Sequence, residues 1–195
     1  MSRQALSRPW WPLLLIILGA GPLKAELNLS PREEKFELDG TKLTHLVFEN
    51  GTTKRTSYQP PKQWNYSGSD NKLQLQPPEK GQADVAISKV PRQDAIPFEE
   101  TNREKLKQNA IASLSEDCSD IKVESEESNP VQISGRNTYL LQLSYTRFGE
   151  KFKRYFLLVD LPNGQLLCQL TSRERDYERL VNAFQHSLCS WQHLT

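Results

Sequence analysis

Apolar positions fall into two periodic patterns along this chain. Tyr177, Leu180, Val181, Phe184, Leu188 and Trp191 recur at the 3.6-residue period and predict one amphipathic helix from about Arg173 to Trp191. A second helix is predicted from about Phe98 to Cys118, where Leu106, Ala110, Ile111 and Leu114 form a stripe. Glu99 and Glu100 sit at the positive end of its dipole. Between the helices the period changes to two. Tyr139, Leu141, Leu143 and Tyr145 line one face of a strand from Asn137 to Phe148. From Lys151 to Leu161, Phe152, Phe156 and Leu158 alternate with Tyr155, Leu157 and Val159, so that strand is apolar on both faces and predicts cover on both sides. Gly149 and Pro162-Asn163-Gly164 make tight turns, the second leading into Gln165–Ser172. Tight turns force antiparallel neighbours.

Shorter strands are predicted at Leu73–Leu75, Ala83–Val90, Ile121–Val123 and Val131–Ile133. The order is strands, helix, a meander of strands, helix. That order predicts an α+β fold, a three-layer α/β/α sandwich with a mostly antiparallel central sheet. Ahead of it, Glu26 to Tyr58 reads as short strands, with Lys42–Phe48 and Thr52–Tyr58 paired around Asn50-Gly51. Leu43, His45 and Val47 separate only loosely from Leu46 and Phe48, which predicts a thinly packed hairpin. Gln59-Pro60-Pro61 cannot sit inside a sheet and marks a boundary. The chain divides into 1–25, 26–59 and 60–195.

The first 25 residues read as an export signal. Arg3 and Arg8 precede the apolar run Trp10–Leu18, broken only by Pro12. Gly19 to Pro22 then break a helix, and Ala25 offers a cleavage point. The run is shorter than the roughly 20 apolar residues a membrane span needs. Contact with a membrane is therefore expected only during export, an uncleaved anchor being the alternative. Removing residues 1–25 takes away Arg3, Arg8 and Lys24 and leaves a mature net charge of −2. A near-neutral chain lacks the basic footprint of a nucleic-acid binder. With 36% hydrophobic residues and 12 prolines in 195, one loop-rich domain is expected.

Three cysteines in an oxidising compartment allow one disulfide and leave one thiol. Three pairings are open. Cys118–Cys189 is favoured because each lies near the end of a predicted helix, and it would close a loop of about 70 residues, a stabilisation of roughly 4 kcal/mol. Cys168 falls in a predicted inner strand as a buried free thiol.

Candidate chemistry is sparse. His186, Cys189 and His193 share one outward arc if the last helix continues, which is a spacing for zinc or copper, with a solvated helix end as the alternative. Carboxylates cluster at Ser115–Asp120 and Glu124–Glu127, without the spacing of a calcium loop. Arg147, Lys151, Lys153 and Arg154 make a basic hairpin that suits an acidic protein partner, although basic edges also serve to prevent aggregation. Trp64 and Tyr66, in a proline-bracketed stretch, are candidates to stack a ligand or to pack over the sheet edge. No nucleophile elbow, zinc-protease helix or phosphate loop occurs. No cofactor is expected.

Several features together resemble a known family. They are Pro60-Pro61-Lys62-Gln63-Trp64 before two strands, a helix, and Ser134-Gly135-Arg136-Asn137-Thr138-Tyr139 leading a long strand. Lys153-Arg154-Tyr155-Phe156 follows in the next strand, Leu170-Thr171-Ser172 ends the last one, and the closing helix carries Phe184, Ser187 and Leu188. This order is similar to the PsbP-like superfamily, which includes photosystem PsbP proteins, a Ran-binding nuclear-import factor and bacterial DcrB-like proteins. The resemblance covers about residues 60–192. It implies a three-layer sandwich and non-catalytic work as an assembly factor, adaptor or binding subunit, with no family site residue carried over. With the signal segment it implies a bacterial periplasmic or secreted protein. The expected function is therefore an exported, non-enzymatic binding or assembly-factor domain acting through a protein partner. The alternatives are a ligand- or metal-binding enzyme with a pocket near Trp64, or an envelope-associated structural module.

Overall fold

A computed structural model of the chain describes residues 27–38, 41–50, 54–79 and 83–194, without the side chains at 36–38, 41–43, 50 and 54. The predicted export signal, Gly51 of the first turn, the Leu43 side chain and Gly81 lie outside the described residues. In chain order the strands are β1 (Arg32–Leu38), β2 (Thr41–Asn50), β3 (Lys54–Tyr58), β4 (Asn65–Gly68), β5 (Lys72–Gln76) and β6 (Ala83–Pro91). Helix α1 (Arg103–Ala112) follows, and then β7 (Cys118–Ser128), β8 (Thr138–Arg147), β9 (Glu150–Leu161) and β10 (Gly164–Arg173). Helix α2 (Glu174–Leu188) and the short β11 (Gln192–Leu194) close the chain.

The fold is the predicted α+β sandwich, built on two antiparallel sheets. The larger has the order β4-β5-β6-β10-β9-β8-β7 and the smaller β1-β2-β3-β11. The two-sided strand is interior, as its pattern requires. β9 lies between β8 and β10, with Tyr155 opposite Leu170 and Gln142 in register. Its even and odd positions enter different cores. Tyr155, Leu157 and Val159 pack with Tyr177, Leu180, Val181, Phe184 and Leu188 of α2. Phe156 packs on the opposite face with Leu106 and Ala110 of α1 and with Tyr139, Leu141 and Leu143 of β8. At about 1.5–3 kcal/mol per large side chain, the five large buried side chains of α2, Tyr177, Leu180, Val181, Phe184 and Leu188, supply far more than Leu106, the one large buried side chain of α1.

Helix α1 is shorter than its stripe predicts. A 3-10 turn (Glu100–Asn102) replaces its first turn, and it ends at Ala112. The Ser113 hydroxyl donates to the Ala110 carbonyl at 2.6 Å, a local bond that competes with helix continuation. Cys118 then opens β7, which is longer than Ile121–Val123 because two register shifts against β8 blur its alternation. Val131–Ile133 forms no strand. It is held by an isolated bridge from Ile133 to Arg136, and Thr138 Oγ1 donates to the Val131 carbonyl.

The first hairpin is not thinly packed. Leu46, Val47 and Phe48 are all buried, and Leu46, Phe48 and Tyr58 belong to the α2-side core. The reason is β11, which pairs with β3 through Gln192–Ser57, His193–Thr56 and Leu194–Arg55. Trp191 turns off the helix and stacks on Phe48, centroids 5.4 Å apart, and against Tyr58 at 5.6 Å. The Ser190 hydroxyl accepts from the Gln59 amide at 2.8 Å and is 3.3 Å from the Gln59 carbonyl. The Tyr58 hydroxyl meets Ser187 Oγ at 2.8 Å inside the core. The end of the chain is thereby pinned across its beginning.

Candidate functional site

The β8–β9 connection combines a strained backbone with an exposed aromatic ring. Arg147 and Glu150 are paired across it, leaving a two-residue loop of Phe148 and Gly149. Both loop residues have positive φ, 50° and 77°, the geometry of a type I′ turn, whose twist matches the flanking strands. Gly149 suits such a backbone, while a bulky L-residue there is disfavoured by about 1–2 kcal/mol. The Phe148 ring is nevertheless 80% exposed. No other aromatic side chain among the described ones is exposed. The Arg147 guanidinium lies 5.0 Å from the ring centroid. An aromatic group is thus held in water at a backbone cost, which is the inverse of what stability selects.

The neighbouring edge is also open. β7 ends the larger sheet, and Cys118 sits opposite Arg147, so β7 begins beside the turn. Ile121 and Val123 on it are 37% and 38% exposed. Asp120 has φ 51° at the first register shift, where the bulge bends the strand. Asp120, Lys122, Glu124, Glu126 and Glu127 load this edge with charge, a common guard against unwanted pairing.

The four cations of the predicted basic patch do not act as one. Strand alternation puts Lys151 and Lys153 on the α2 side and Arg154 on the α1 side. Arg147 bridges Asp117 at 3.0 Å, and hydrogen bonds from Ser115 and Arg147 hold Asp117 below the ordinary carboxylate value. Lys153 lies 3.8 Å from Glu178 and over the Tyr177 ring. Arg154 donates to Thr171 Oγ1 at 2.7 Å and stands over the Phe156 ring. Glu150, at the same turn, bridges Arg173 at 2.7 Å. With Arg147, Lys153, Arg154 and Glu150 each engaged locally, the Phe148 ring is the distinctive feature of this end.

The other sequence candidates separate. Trp64 is a core side chain, 8% exposed, so its ring is not an open stacking surface. Tyr66 packs against the same core, and burial together with Glu33 raises its phenol to about 12. The carboxylates of Ser115–Asp120 and Glu124–Glu127 are spread over the turn before β7 and along that edge strand instead of converging. Asp117 is taken by Arg147, Glu126 by Lys107 at 3.1 Å, and Glu124 accepts from Ser144 Oγ. The His186–Cys189–His193 arc does not form, because α2 stops at Leu188 and His193 belongs to β11, with Nδ1 3.1 Å from Thr56 Oγ1. Among the described residues no group of three metal-ligating side chains converges.

Cys118 and Cys189 are not bridged, and all three cysteines are free thiols. The predicted pairing assumed that both helix ends meet. Instead α1 and α2 lie on opposite faces of the larger sheet, and Cys118 is already in β7. Cys168 is buried as expected, and desolvation pushes its thiol up to about 12.

Sequence reasoning passed over Phe148 because it extended the preceding strand through it. The available signal was chemical. A two-residue hairpin loop ending in Gly prefers Asn or Asp before it, and here Phe stands in that place. Among the described residues no helix is long and apolar enough to cross a membrane.

Fold and site together define an α+β sandwich of two antiparallel sheets with an exposed aromatic turn. Its fold is similar to that of PA94 from Pseudomonas aeruginosa, a protein of unknown function, at a TM-score of 0.46 and 18% identity over 81% of this chain and 94% of that one. It is also similar to LpqN of Mycobacterium tuberculosis, involved in cell envelope biogenesis, at 0.49 and 10% over 85% and 92%. The apo immunity protein TplEi of the T6SS from Pseudomonas aeruginosa aligns at 0.43 and 11%, over 86% of this chain and 54% of that one. At these scores and identities the likenesses carry no weight for function. No family model matches the sequence. No curated protein matches it significantly either.

Proposed function

We propose that the protein is an exported, non-enzymatic binding domain that works through a protein partner, with the β8–β9 turn as the contact. One observation carries this reading: Phe148 is held 80% exposed on a left-handed backbone. Such a ring is the kind of anchor that fills a pocket on a partner, since aromatic side chains bring large area with few torsions to freeze. Ile121 and Val123 extend the apolar surface along the adjoining edge. The paired charges around the turn make a polar rim. The apolar run at Trp10–Leu18 supports export, and the PsbP-like order of elements supports an adaptor or assembly-factor role.

The test is a photoreactive phenylalanine analogue placed at position 148 and, as control, at the exposed Lys35 of β1, each irradiated in intact cells. The expected result is one discrete adduct at 148, absent at 35, and lost when excess unlabelled wild-type protein competes. Equal labelling at both positions, or none at 148, refutes the reading.

A further inference from the structure

The short helix α1 does not fill the space over its sheet face, and a cavity of about 170 Å³ lies beneath it. Leu106 and Ala110 of α1 form the roof. The apolar floor spreads over four neighbouring strands, from Val90 of β6 through Leu167 and Phe156 to Leu141 of β8. The space lies on the face opposite Trp64, away from the predicted pocket. Its two ends differ in charge. At one end Gln165 is buried, its side chain accepting from the Ile96 amide at 3.2 Å and donating to the Ile96 carbonyl at 2.7 Å, which closes that side. Asp94 belongs to the same end, its amide bonded to the carbonyl of Pro91, the residue after the register partner of Gln165. At the other end Asn109 and Ser113 are exposed and Gln169 is half-buried. Arg154 adjoins this second end. Its Nη1 lies 3.3 Å from Ser113 Oγ and its guanidinium 5.6 Å from the Phe156 ring centroid, and both residues line the cavity.

The charge of Arg154 is not neutralised by its neighbours. The side chain is half-buried, and its acceptors are neutral: Nε donates to Thr171 Oγ1 at 2.7 Å, and Nη1 to the Ser113 carbonyl at 3.4 Å and hydroxyl at 3.3 Å. Tyr145 also faces it as a neutral phenol, which burial raises and the guanidinium lowers. Among the described residues no carboxylate pairs with Arg154. Asp84 stands two strands away through Thr171, about 10 Å, and accepts from Gln74 Nε2 at 2.7 Å. Asp94 lies beyond Gln165, itself about 13 Å along β10 from Gln169, past the screening length of about 8 Å. The carbonyl end of α1 contributes about half a negative charge, less than the guanidinium supplies. A single positive charge thus borders an apolar space.

We propose that the cavity binds a small monoanionic acid, its carboxylate on Arg154 at the Ser113 and Gln169 end and an apolar part of about six carbons against Leu141, Phe156 and Leu167. One guanidinium balances one negative charge. The size follows from volume, since a leucine- and phenylalanine-lined cavity of about 150 Å³ stays dry and takes benzene. The two Ser113 contacts are long, and the acid exchanges them for charge-assisted bonds, which are roughly twice as strong. The Ser113 hydroxyl and the Gln169 amide add donors for the second carboxylate oxygen. The site is independent of the Phe148 contact, so either assignment can fail without the other.

The experiment is an NMR titration of the protein with benzoate and with its neutral isostere benzamide. Saturable benzoate shifts are expected at the Leu141, Leu158 and Leu167 methyls and at Arg154 Nε–H, with none at Leu73 and Leu75 of the other core. Benzamide is expected to bind roughly ten-fold more weakly, the worth of a hydrogen bond to a charged group. Arg154→Gln is expected to bring benzoate down to the affinity of benzamide and to leave benzamide binding unchanged, which also reports that the variant folds. Benzoate shifts that never saturate, or that spread equally to Leu73 and Leu75, overturn the site. Benzamide binding as tightly as benzoate overturns the anion on the wild-type protein alone. An Arg154→Gln protein that binds benzamide and still prefers benzoate overturns the assignment to Arg154.

Discussion

Replacing Phe148 tests both the turn and its purpose. Phe148→Asn and Phe148→Ala each remove the ring. Because the ring is 80% exposed, its lost burial is worth roughly a fifth of a full aromatic burial, about 0.5 kcal/mol. The exposed contact with Arg147 adds about 0.5 kcal/mol. Both variants lose these equally. They differ in the backbone. Ala keeps the penalty of about 1–2 kcal/mol for an L-residue at φ 50°, while Asn hydrogen-bonds locally and occupies that region with little strain. Phe148→Asn is therefore expected to be about 1 kcal/mol more stable than Phe148→Ala, and equal to or slightly above wild type. Urea midpoints at a common slope read this directly, and thermal midpoints are expected to separate by roughly 2–4 °C. Both variants are expected to lose the partner contact at the turn. An alanine variant as stable as the asparagine one would mean that the turn is not left-handed, and the reasoning from strain to function would go with it.

Three further outcomes follow from burial. Native protein is expected to expose Cys189 to a thiol reagent, with Cys118 slower and Cys168 reacting only after unfolding; a Cys118–Cys189 bridge in oxidised protein would contradict the two opposed helix layers. All six tyrosines are shifted up, chiefly by burial, so the fold favours the neutral phenol. Their contribution is complete below the unfolded value of about 10 and is lost as pH rises above it, so phenolate absorbance is expected to appear together with loss of structure; ordinary titration of a folded protein would refute it. Trp191→Ala is expected to cost about 3–5 kcal/mol and to accelerate amide exchange along β3, since Trp191 holds Phe48 and Tyr58 together; unchanged β3 exchange would show that β11 does not secure the first hairpin.

What could be read in advance follows the length scale of the forces. The α2 stripe is a local repeat over four turns, and it was legible because every one of its large residues meets one core. The two-sided alternation of β9 announced cover on both faces, and the structure has it. Local patterns failed where one residue type serves two ends. The α1 stripe ran on to Cys118, but Ser113 bonds back to its own turn and stops the helix. His193 continued the spacing of His186 and Cys189, yet a strand partner 137 residues away claims it.

By itself the sequence determined the antiparallel α+β layering, because hydrophobic periods and tight turns depend only on near neighbours. Only the tertiary structure decided that β11 would cross back over the first hairpin, that the cysteines would stay apart, and that α1 would be too short to fill its face. It also decided that Phe148 would stand in water. Those outcomes come from contacts between segments far apart along the chain, where packing and register across space choose the partner and no local repeat records the choice.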